Sequence, residues 1–311
     1  MCYLGIDVSL ATLEVAGETT TAVTYPNDAA GIATLVAAVH ALAPTLVVLE
    51  ATSVYHASVT SALIHAGLPT AVVNPRQVRD FARGTGQRAK TDSLDAQVLA
   101  RFAAAVQPVP RVLPDAATQE LAALVDRRRQ LLEMQVAETH RLAVARASVR
   151  AEITKHIHYL QRAVARADTD LDDWIRRSPV WRAHDDLLQS APGVGKQTAH
   201  MLIARLPELG QLTGKQIAAL TGLAPFARDS GRFRGKRVIS GGRAPIRAML
   251  YMATVSAIRC NPVIAAHYRR LRAAGKPAKL ALTACMRHLL LILNAMMKSN
   301  TPWRNYAHTI A

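Results

Sequence analysis

The sequence predicts an α/β domain, then a long helical segment, then a mostly α-helical domain. Three observations lead to this fold class. Short apolar runs rich in Val and Thr alternate with helical periodicity up to about residue 110. Residues 118–178 contain neither Gly nor Pro, and five further helical patterns follow residue 187. We therefore divide the chain into 1–110, 111–186 and 187–311.

The elements of the first domain follow the order βββαβαβα, which is typical of a mixed sheet covered by helices. Strands are expected at 3–8, 13–16, 20–25, 46–49 and 70–73. Helices are expected at 28–40, 53–66 and 92–105. Residues 77–90 are expected to form a loop.

The middle segment carries apolar residues at helical spacing. Ile153, Ile157, Leu160, Val164 and Leu171 follow a heptad seam, but upstream Arg128 and Arg146 break the register. An antiparallel hairpin, a dimerising coiled coil and an ordinary helical bundle all remain open on this spacing.

The last domain is expected to contain helices near 198–206, 214–220, 246–259, 262–274 and 278–297. A basic, Gly-rich loop at 225–243 interrupts them. The apolar stretch 280–297 carries Arg287 and His288 at its centre, which favours a buried helix over a membrane span.

The charge of the chain is large and unevenly distributed. There are 38 Lys and Arg against 22 Asp and Glu, a net charge of +16. Residues 1–108 have a net charge of −2 and the remainder +18. This asymmetry favours a nucleic-acid partner, held mostly by the later part of the chain, over a merely solvated basic surface.

The cysteines and the amino terminus bear on the compartment. Cys2, Cys260 and Cys285 lie far apart, which excludes a disulfide framework and a Cys-rich zinc site and fits a reducing cytosol. Asp7 interrupts the first apolar run, so no signal peptide is expected. We expect a cytoplasmic protein without a membrane partner.

Four carboxylates in the first domain can converge. Asp7 and Glu50 end two predicted strands, and Asp92 and Asp95 lie on one face of a predicted helix start. Such oxygen clusters suit two Mg²⁺ ions acting on a phosphodiester, with Mn²⁺ as a substitute. Taken singly, each also fits a turn, an exposed strand end or a helix cap. The preceding loop supplies four cations that suit phosphates: Arg79, Arg83, Arg88 and Lys90.

A Gly-containing turn opens the last domain. Gly193 and Gly195, followed by Lys196 and an amphipathic helix, resemble a helix-hairpin-helix turn that binds phosphate through backbone N–H groups. A simple interhelical turn is the alternative. A P-loop is excluded, because Ser190 and Gln197 occupy positions where that motif needs Gly and Ser or Thr.

The loop at 228–243 combines cations with two hydroxyls, Ser230 and Ser240, and one acid, Asp229. Its cations are expected to contact nucleic acid: Arg228, Arg232, Arg234, Lys236, Arg237 and Arg243. A serine among guanidinium groups is able to attack phosphorus. A Ser-Gly pair in a loop is more often only a turn, so chemistry alone does not single out Ser230.

Five segments together resemble the "IS one-ten" transposases, the DEDD-type insertion-sequence recombinases related to Piv-type DNA invertases. They are GIDVS at 5–9, LEATSVYH at 49–56, the segment 74–103, APGVGKQTA at 191–199 and the segment 222–253. The resemblance implies a RuvC-like, RNase H-fold domain joined by a coiled coil to a helical transposase domain. It also implies an acidic tetrad of Asp7, Glu50, Asp92 and Asp95.

The same resemblance assigns the nucleophile to Ser230, with Ser240 second, through a covalent phosphoserine link to DNA. It implies donor and target DNA, a structured bridge RNA and a homo-oligomer, dimer or tetramer, in a bacterial or archaeal cytoplasm near the nucleoid. We therefore expect a Mg²⁺-dependent insertion-sequence recombinase. The alternatives are a metal-dependent Holliday-junction nuclease, a non-catalytic nucleic-acid scaffold and an actin-like ATPase. An actin-like ATPase needs a second Gly-rich phosphate loop, and the first domain has none, which counts against this alternative.

Overall fold

A computed structural model describes residues 1–51, 55–87, 91–110, 115–227 and 229–304, without the side chains at 92 and 93. The chain forms two compact units, Met1–Pro114 and Asp115–Ala311, which we call unit 1 and unit 2.

Unit 1 is a five-stranded mixed sheet with helices, as the sequence predicts. Its strands are β1 Tyr3–Val8, β2 Thr12–Gly17, β3 Val23–Pro26, β4 Leu46–Glu50 and β5 Thr70–Val73. Its helices are α1 Ala29–Ala41, α2 His56–His65, α3 Pro75–Gly84 and α4 Asp92–Val106. The strand order is β3-β2-β1-β4-β5; β1, β2 and β3 pair antiparallel, whereas β1, β4 and β5 pair parallel.

Alternation along the strands gives unit 1 two apolar layers. On β1, Leu4, Ile6 and Val8 belong to the layer shared with α1 and α2, whereas Tyr3 belongs to the layer shared with α4. Gly5 lies on the Tyr3 face, directly under α4. A Cβ at Gly5 would lie 2.6 Å from the Leu99 Cβ and would also overlap the α4 backbone, so only glycine allows this helix to pack so closely.

The prediction of a loop at 77–90 is wrong over the first part of that segment, which belongs to helix α3. Asn74 caps this helix by accepting from the Arg76 N–H, and Pro75 occupies its first turn, where no N–H is needed. Val78 is buried, and the Phe81 ring meets that of Phe102 on α4 edge-on at 5.5 Å. Cap and packing together make a helix of a segment that is otherwise rich in charge. Residues 88–90 lie outside the described residues.

The described residues of unit 2 form helices and four two-residue strands. Its helices are α5 Ala116–Val144, α6 Ala147–Arg177, α7 Pro179–Gln189, α8 Lys196–Arg205, α9 Gly214–Leu220, α10 Ala244–Cys260, α11 Pro262–Ala273 and α12 Ala278–Ser299. Its strands are β6 Pro225–Phe226, β7 Asp229–Ser230, β8 Phe233–Arg234 and β9 Val238–Ile239. The sequence reasoning missed α7, which Ser178 caps and Pro179 begins.

Helices α5 and α6 form an antiparallel hairpin, one of the three arrangements that the spacing left open. Arg128 pairs with Asp168 and Glu138 with His156, so residue numbers fall on one helix as they rise on the other. Leu131 and Leu160 are buried between the helices. A coiled coil between two subunits stays a prediction.

Helix α12 supplies much of the core of unit 2. Its length and mean hydropathy of 1.6 would allow it to cross a membrane, but half of its most apolar stretch is buried inside the protein. Leu289, Leu290 and Leu293 are fully buried in the main cluster with residues of α8 and α10. The apolar surface of α12 is thus used for packing within the unit.

Candidate functional site

Two carboxylates lie side by side at one end of the sheet of unit 1. In the parallel ladder Ile6 pairs with Leu49, and Asp7 and Glu50 each follow by one residue. Alternation puts both on the face that Gly5 and Val48 share, which is the face covered by α4. Asp7 and Glu50 are both half-buried. The strand-end convergence expected from the sequence therefore holds for these two residues.

Helix α4 brings the other two acidic positions to the same end. Ala96 and Ala100 cross over Gly5, and the Gln107 side chain at the far end of α4 donates to the Tyr3 hydroxyl at 3.1 Å. Helix α4 therefore runs antiparallel to β1. Its first turn, which contains positions 92 and 95, lies toward the carboxyl ends of β1 and β4.

The cap of α4 is Thr91, whose hydroxyl accepts from the Leu94 N–H at 3.3 Å. Asp92 is the first helical residue, so a capping role does not account for an acid there. Asp95 lies half-buried in the same turn. The Asp92 side chain lies outside the described residues.

Sequence reasoning missed a further carboxylate, Glu14 on β2. It lies directly opposite Asp7 in the antiparallel ladder, so the two side chains share a face, and it accepts from the Thr24 hydroxyl at 2.7 Å. Like charges placed opposite each other destabilise a sheet unless something compensates them. The sequence predicted strands at 3–8 and 13–16 but not the register between them, so no local signal placed Glu14 opposite Asp7.

The donor set of this edge suits a hard divalent cation, because all four predicted ligands are carboxylates. Asp7, Glu50 and Asp95 lie toward the same end of one face of unit 1. Among the side chains that the structure describes, no three of this kind are close enough together to hold a metal ion. The chemistry and the edge fit Mg²⁺, and the ligand set itself stays a prediction.

The cations expected beside this edge divide into two groups. Arg79 and Arg83 are exposed and lie one turn apart on α3, so they project from a helix and not from a loop. Arg88 and Lys90 lie outside the described residues.

The Gly turn between α7 and α8 is held by packing. Gly193 has φ +94°, and a Cβ there would lie 2.6 Å from the Ala257 Cα on α10. Gly195 is the N-cap of α8 and faces open space. The Lys196 ammonium pairs with Asp172 on α6 at 2.6 Å. The glycine at 193 is therefore required by the contact with α10, whereas Gly195 is open to a ligand.

The loop at 225–243, here called the serine loop, folds into two nested antiparallel pairs. β6 pairs with β9, and inside them β7 pairs with β8, with Ser230 opposite Phe233. Gly231 follows at φ +52° in the tight turn. Ser230 is exposed near the tip, and Ser240 is exposed just after β9. A short hairpin thus presents Ser230 to solvent.

Internal carboxylates neutralise several cations of the serine loop. Asp229 accepts from Arg237 at 2.9 Å and from Arg234 at 3.5 Å. Arg243 donates to both oxygens of Glu208, at 2.7 and 2.5 Å. Within the described residues, Arg232 and Lys236 are exposed and make no ion pair. Arg228 lies outside the described residues.

At the base of the serine loop, the backbone at Gly222 passes close to the backbone at Gly241 and Gly242. A Cβ on Gly222 would overlap the Gly241 carbonyl, and a Cβ on Gly242 would overlap the Gly222 backbone. Arg247 on α10 donates to the carbonyls of Gly241 at 2.7 Å and of Thr221 at 3.3 Å. These contacts, with the Arg243 ion pair, join the two ends of the loop.

Two protein families match most of the chain. A DEDD-type IS110 transposase family matches residues 4–145, and the family described as "Transposase IS116/IS110/IS902 family" matches residues 185–269. Among curated relatives, the "Pilin gene-inverting protein" of Moraxella bovis is 28% identical over 318 residues, 98% of each chain. Its namesake from Moraxella lacunata is 27% identical over the same share. The "Insertion element IS900 uncharacterized 42 kDa protein" of Mycobacterium paratuberculosis is 30% identical over 169 residues, 53% of this chain and 41% of that protein.

Proposed function

Because the chain belongs to the IS110 family of transposases, we propose that it is a magnesium-dependent DNA recombinase that cuts and rejoins strands through a phosphoserine intermediate. The observation that carries the proposal is the edge of unit 1, where Asp7, Glu50 and the first turn of α4 converge. The strand order 3-2-1-4-5, with three antiparallel and three parallel strands sharing β1, supports an RNase H-like fold for this unit.

In this proposal Asp7, Glu50, Asp92 and Asp95 hold Mg²⁺. The bound cation supplies charge neutralisation for phosphate oxygens. The carboxylates hold it at one edge of a rigid sheet, because β1 and β4 are fixed by the ladder and α4 by its contact with Gly5. Arg79 and Arg83 on α3 bind phosphates of the same strand.

Ser230 is the proposed nucleophile. Its Oγ attacks phosphorus, one P–O bond forms, and the P–O bond to the departing DNA hydroxyl breaks. The serine proton passes to a base, which we propose to be a carboxylate of the acidic tetrad in another subunit of a homo-oligomer, and a proton is returned to the leaving oxygen. The number and kind of bonds are conserved, so rejoining needs no ATP. Arg232 and Lys236, the loop cations without an internal carboxylate among the described residues, stabilise the charge that develops on the phosphate.

Two further elements complete the proposal. The basic unit 2 binds donor and target DNA, and a structured bridge RNA guides the choice of both. The open position of Gly195 at the start of α8 supports a phosphate contact there.

The test is a denaturing gel with end-labelled donor DNA in Mg²⁺. Wild-type protein should give a covalent protein–DNA adduct, and peptide mapping should find it at Ser230. Ser230→Ala should bind DNA and give no adduct, whereas Ser240→Ala, the matched control on the same loop, should keep it. Asp7→Asn and Glu50→Gln should abolish the adduct while unit 1 stays folded.

Three outcomes would overturn parts of this assignment. An adduct that persists in Ser230→Ala and disappears in Ser240→Ala would move the nucleophile to Ser240. Cleavage without any adduct would favour the nuclease that activates water. Wild-type adduct yield in Asp7→Asn would remove Asp7 from the catalytic edge.

A further inference from the structure

The end of the chain lacks acidic residues altogether. After Asp229, the remaining 82 residues contain 15 Lys and Arg and no Asp or Glu. A cation in this part of the fold is neutralised only if the chain brings an acid from elsewhere, as Glu208 is brought to Arg243. The cations that receive no such acid keep their charge available for a polyanion.

Five of these cations cluster where α11 meets α12, and we call them the α11–α12 ridge. All are exposed, and none makes an ion pair within the residues that the structure describes: Arg269, Arg270, Arg272, Lys276 and Lys279. Two of them make contacts with neutral groups. Arg270 bonds to the His267 ring at 3.1 Å, and Arg272 donates to the Lys276 carbonyl at 2.6 Å.

The backbone that carries the ridge is held in a fixed turn. Gly275 has φ +75°, its N–H donates to the Arg272 carbonyl, and the Lys276 N–H donates to the Leu271 carbonyl. This is the hydrogen-bond pattern of a Schellman helix end. Five like charges on a fixed turn repel one another, and a bound polyanion would relieve that repulsion.

Several cations elsewhere in unit 2 are paired with an acid. Arg129 pairs with Glu133, Arg141 with Glu138, and Lys196 with Asp172. The ridge is thus a local excess of positive charge.

The ridge is also remote from the serine loop. α10 begins at the base of that loop and has 17 residues, and α11 follows with 12 residues at an angle of 94°. At about 1.5 Å per residue, the two lengths place the ridge roughly 30 Å from the loop base. A duplex advances about 3.4 Å per base pair, so the separation matches roughly nine base pairs.

We propose that the α11–α12 ridge binds the phosphate backbone of a nucleic acid, as a second contact in unit 2 that adds affinity and takes no part in strand chemistry. The proposal rests on the nucleic-acid partner proposed above and not on the serine mechanism. Phosphates fit this surface because it offers charge without any carboxylate to compete for it.

The test is the salt dependence of binding, measured with catalytically silent Ser230→Ala protein as the background. The ridge variant is Arg269→Gln with Lys279→Gln, two cations whose side chains make no bond in the described fold. The matched control is Arg129→Gln with Arg141→Gln, which removes the same charge from cations already paired. Fluorescence anisotropy follows a 20-base-pair DNA duplex and a structured RNA hairpin in parallel.

The ridge variant should flatten the slope of log affinity against log salt by about 1.8, at about 0.9 per phosphate contact on duplex DNA. When the salt is raised from 50 to 200 mM, the affinity of the background protein should therefore fall by a factor about 12 times larger than that of the ridge variant. The control should change the slope by less than about 0.5. A flattened slope with DNA alone assigns the ridge to DNA, and one with RNA alone assigns it to RNA.

Unchanged slopes with both probes, or equal changes in ridge variant and control, would overturn the proposal while leaving the recombinase assignment intact. A background protein that binds neither probe would remove the nucleic-acid partner, and the ridge proposal with it. Circular dichroism of each variant verifies that unit 2 stays folded, so that an affinity change reports the surface.

Discussion

Two adjacent glycines at the base of the serine loop allow the packing of that base to be tested by substitution. Gly241 and Gly242 have nearly the same φ, +66° and +68°. A Cβ at Gly241 meets nothing within 4 Å, whereas a Cβ at Gly242 overlaps the backbone of Gly222. Gly241→Ala and Gly242→Ala therefore share the strain of a positive φ and differ in what the new Cβ contacts.

Both variants should lose stability because alanine disfavours a positive φ, by about 1–2 kcal/mol. Gly242→Ala should lose about 1–3 kcal/mol more, because the atoms it meets are backbone and cannot move aside as a side chain can. The expected totals are about 1–2 kcal/mol for Gly241→Ala and about 2–5 kcal/mol for Gly242→Ala.

Urea unfolding followed by tryptophan fluorescence measures this loss in unit 2, since Trp174, Trp181 and Trp303 all belong to that unit. The loop base is also able to open locally without global unfolding. Hydrogen exchange at Arg243 detects that opening, because its N–H donates to the Leu220 carbonyl at 3.1 Å across the loop base.

Gly242→Ala should accelerate exchange at Arg243, or lower the urea midpoint, well beyond the effect of Gly241→Ala. Equal effects of the two variants in both measurements would show that the glycine crossing does not hold the loop. The reasoning from the backbone contact would then be refuted, whatever the absolute loss of stability.

Three other predictions follow from the fold and its charges. Burial raises the pKa of the Cys285 thiol to about 11, whereas Cys260 is exposed. Iodoacetamide at pH 8 should therefore label Cys260 in the native protein and Cys285 only after unfolding. Labelling of both thiols at similar rates in the native protein would contradict the buried position of Cys285. Arg243→Gln should lower the free energy of unfolding by about 1–2 kcal/mol in urea titrations. It should leave the salt slope of nucleic-acid binding unchanged, because Glu208 already binds this guanidinium, and a flatter slope would return Arg243 to the nucleic-acid interface. Burial lowers the pKa of His288 below 6.5, so the unfolded chain binds the proton more readily than the folded chain. The free energy of unfolding should therefore fall as the pH drops below about 6.5. In urea titrations at pH 5 to 7, His288→Gln should lose part of this pH dependence of stability.

Local signals were sufficient for most of the fold. The strands at 3–8 and 70–73 have the predicted bounds, and the helix at 214–220 does too. Helices α3 and α7 were missed although each has a capping side chain and a proline in its first turn. Both helices are short and rich in polar and charged residues, so the end signals were the ones that marked them.

The candidate carboxylate edge was predictable because it depends on sheet topology. Parallel strands end at the same edge, and this places Asp7 beside Glu50 without any knowledge of side chains. Glu14 was missed because its place opposite Asp7 depends on the register of the hairpin.

Pairing between charges far apart in the chain was not predictable. Arg243 and Glu208 are 35 residues apart, and Arg205 and Asp126 are 79 apart, so no local pattern links them. The sequence shows how many cations the chain has but not which of them pair with an acid in the folded protein. Arg243 is already paired with Glu208, whereas the cations of the α11–α12 ridge make no ion pair within the described residues.

The unpaired cations of the serine loop and of the ridge predict the salt dependence that these two surfaces would give by themselves. In the described residues of unit 2, the serine loop keeps two exposed cations without an ion pair, Arg232 and Lys236, and the ridge keeps five. If all seven contact duplex phosphates, the slope of log affinity against log salt should be about −6. A measured slope near −2 would mean that only about two cations contact phosphate, and the ridge variant would then show whether they belong to the loop or to the ridge. A slope much steeper than −6 would require further cations, and the exposed Arg162 and Arg166 on α6 are the first to substitute.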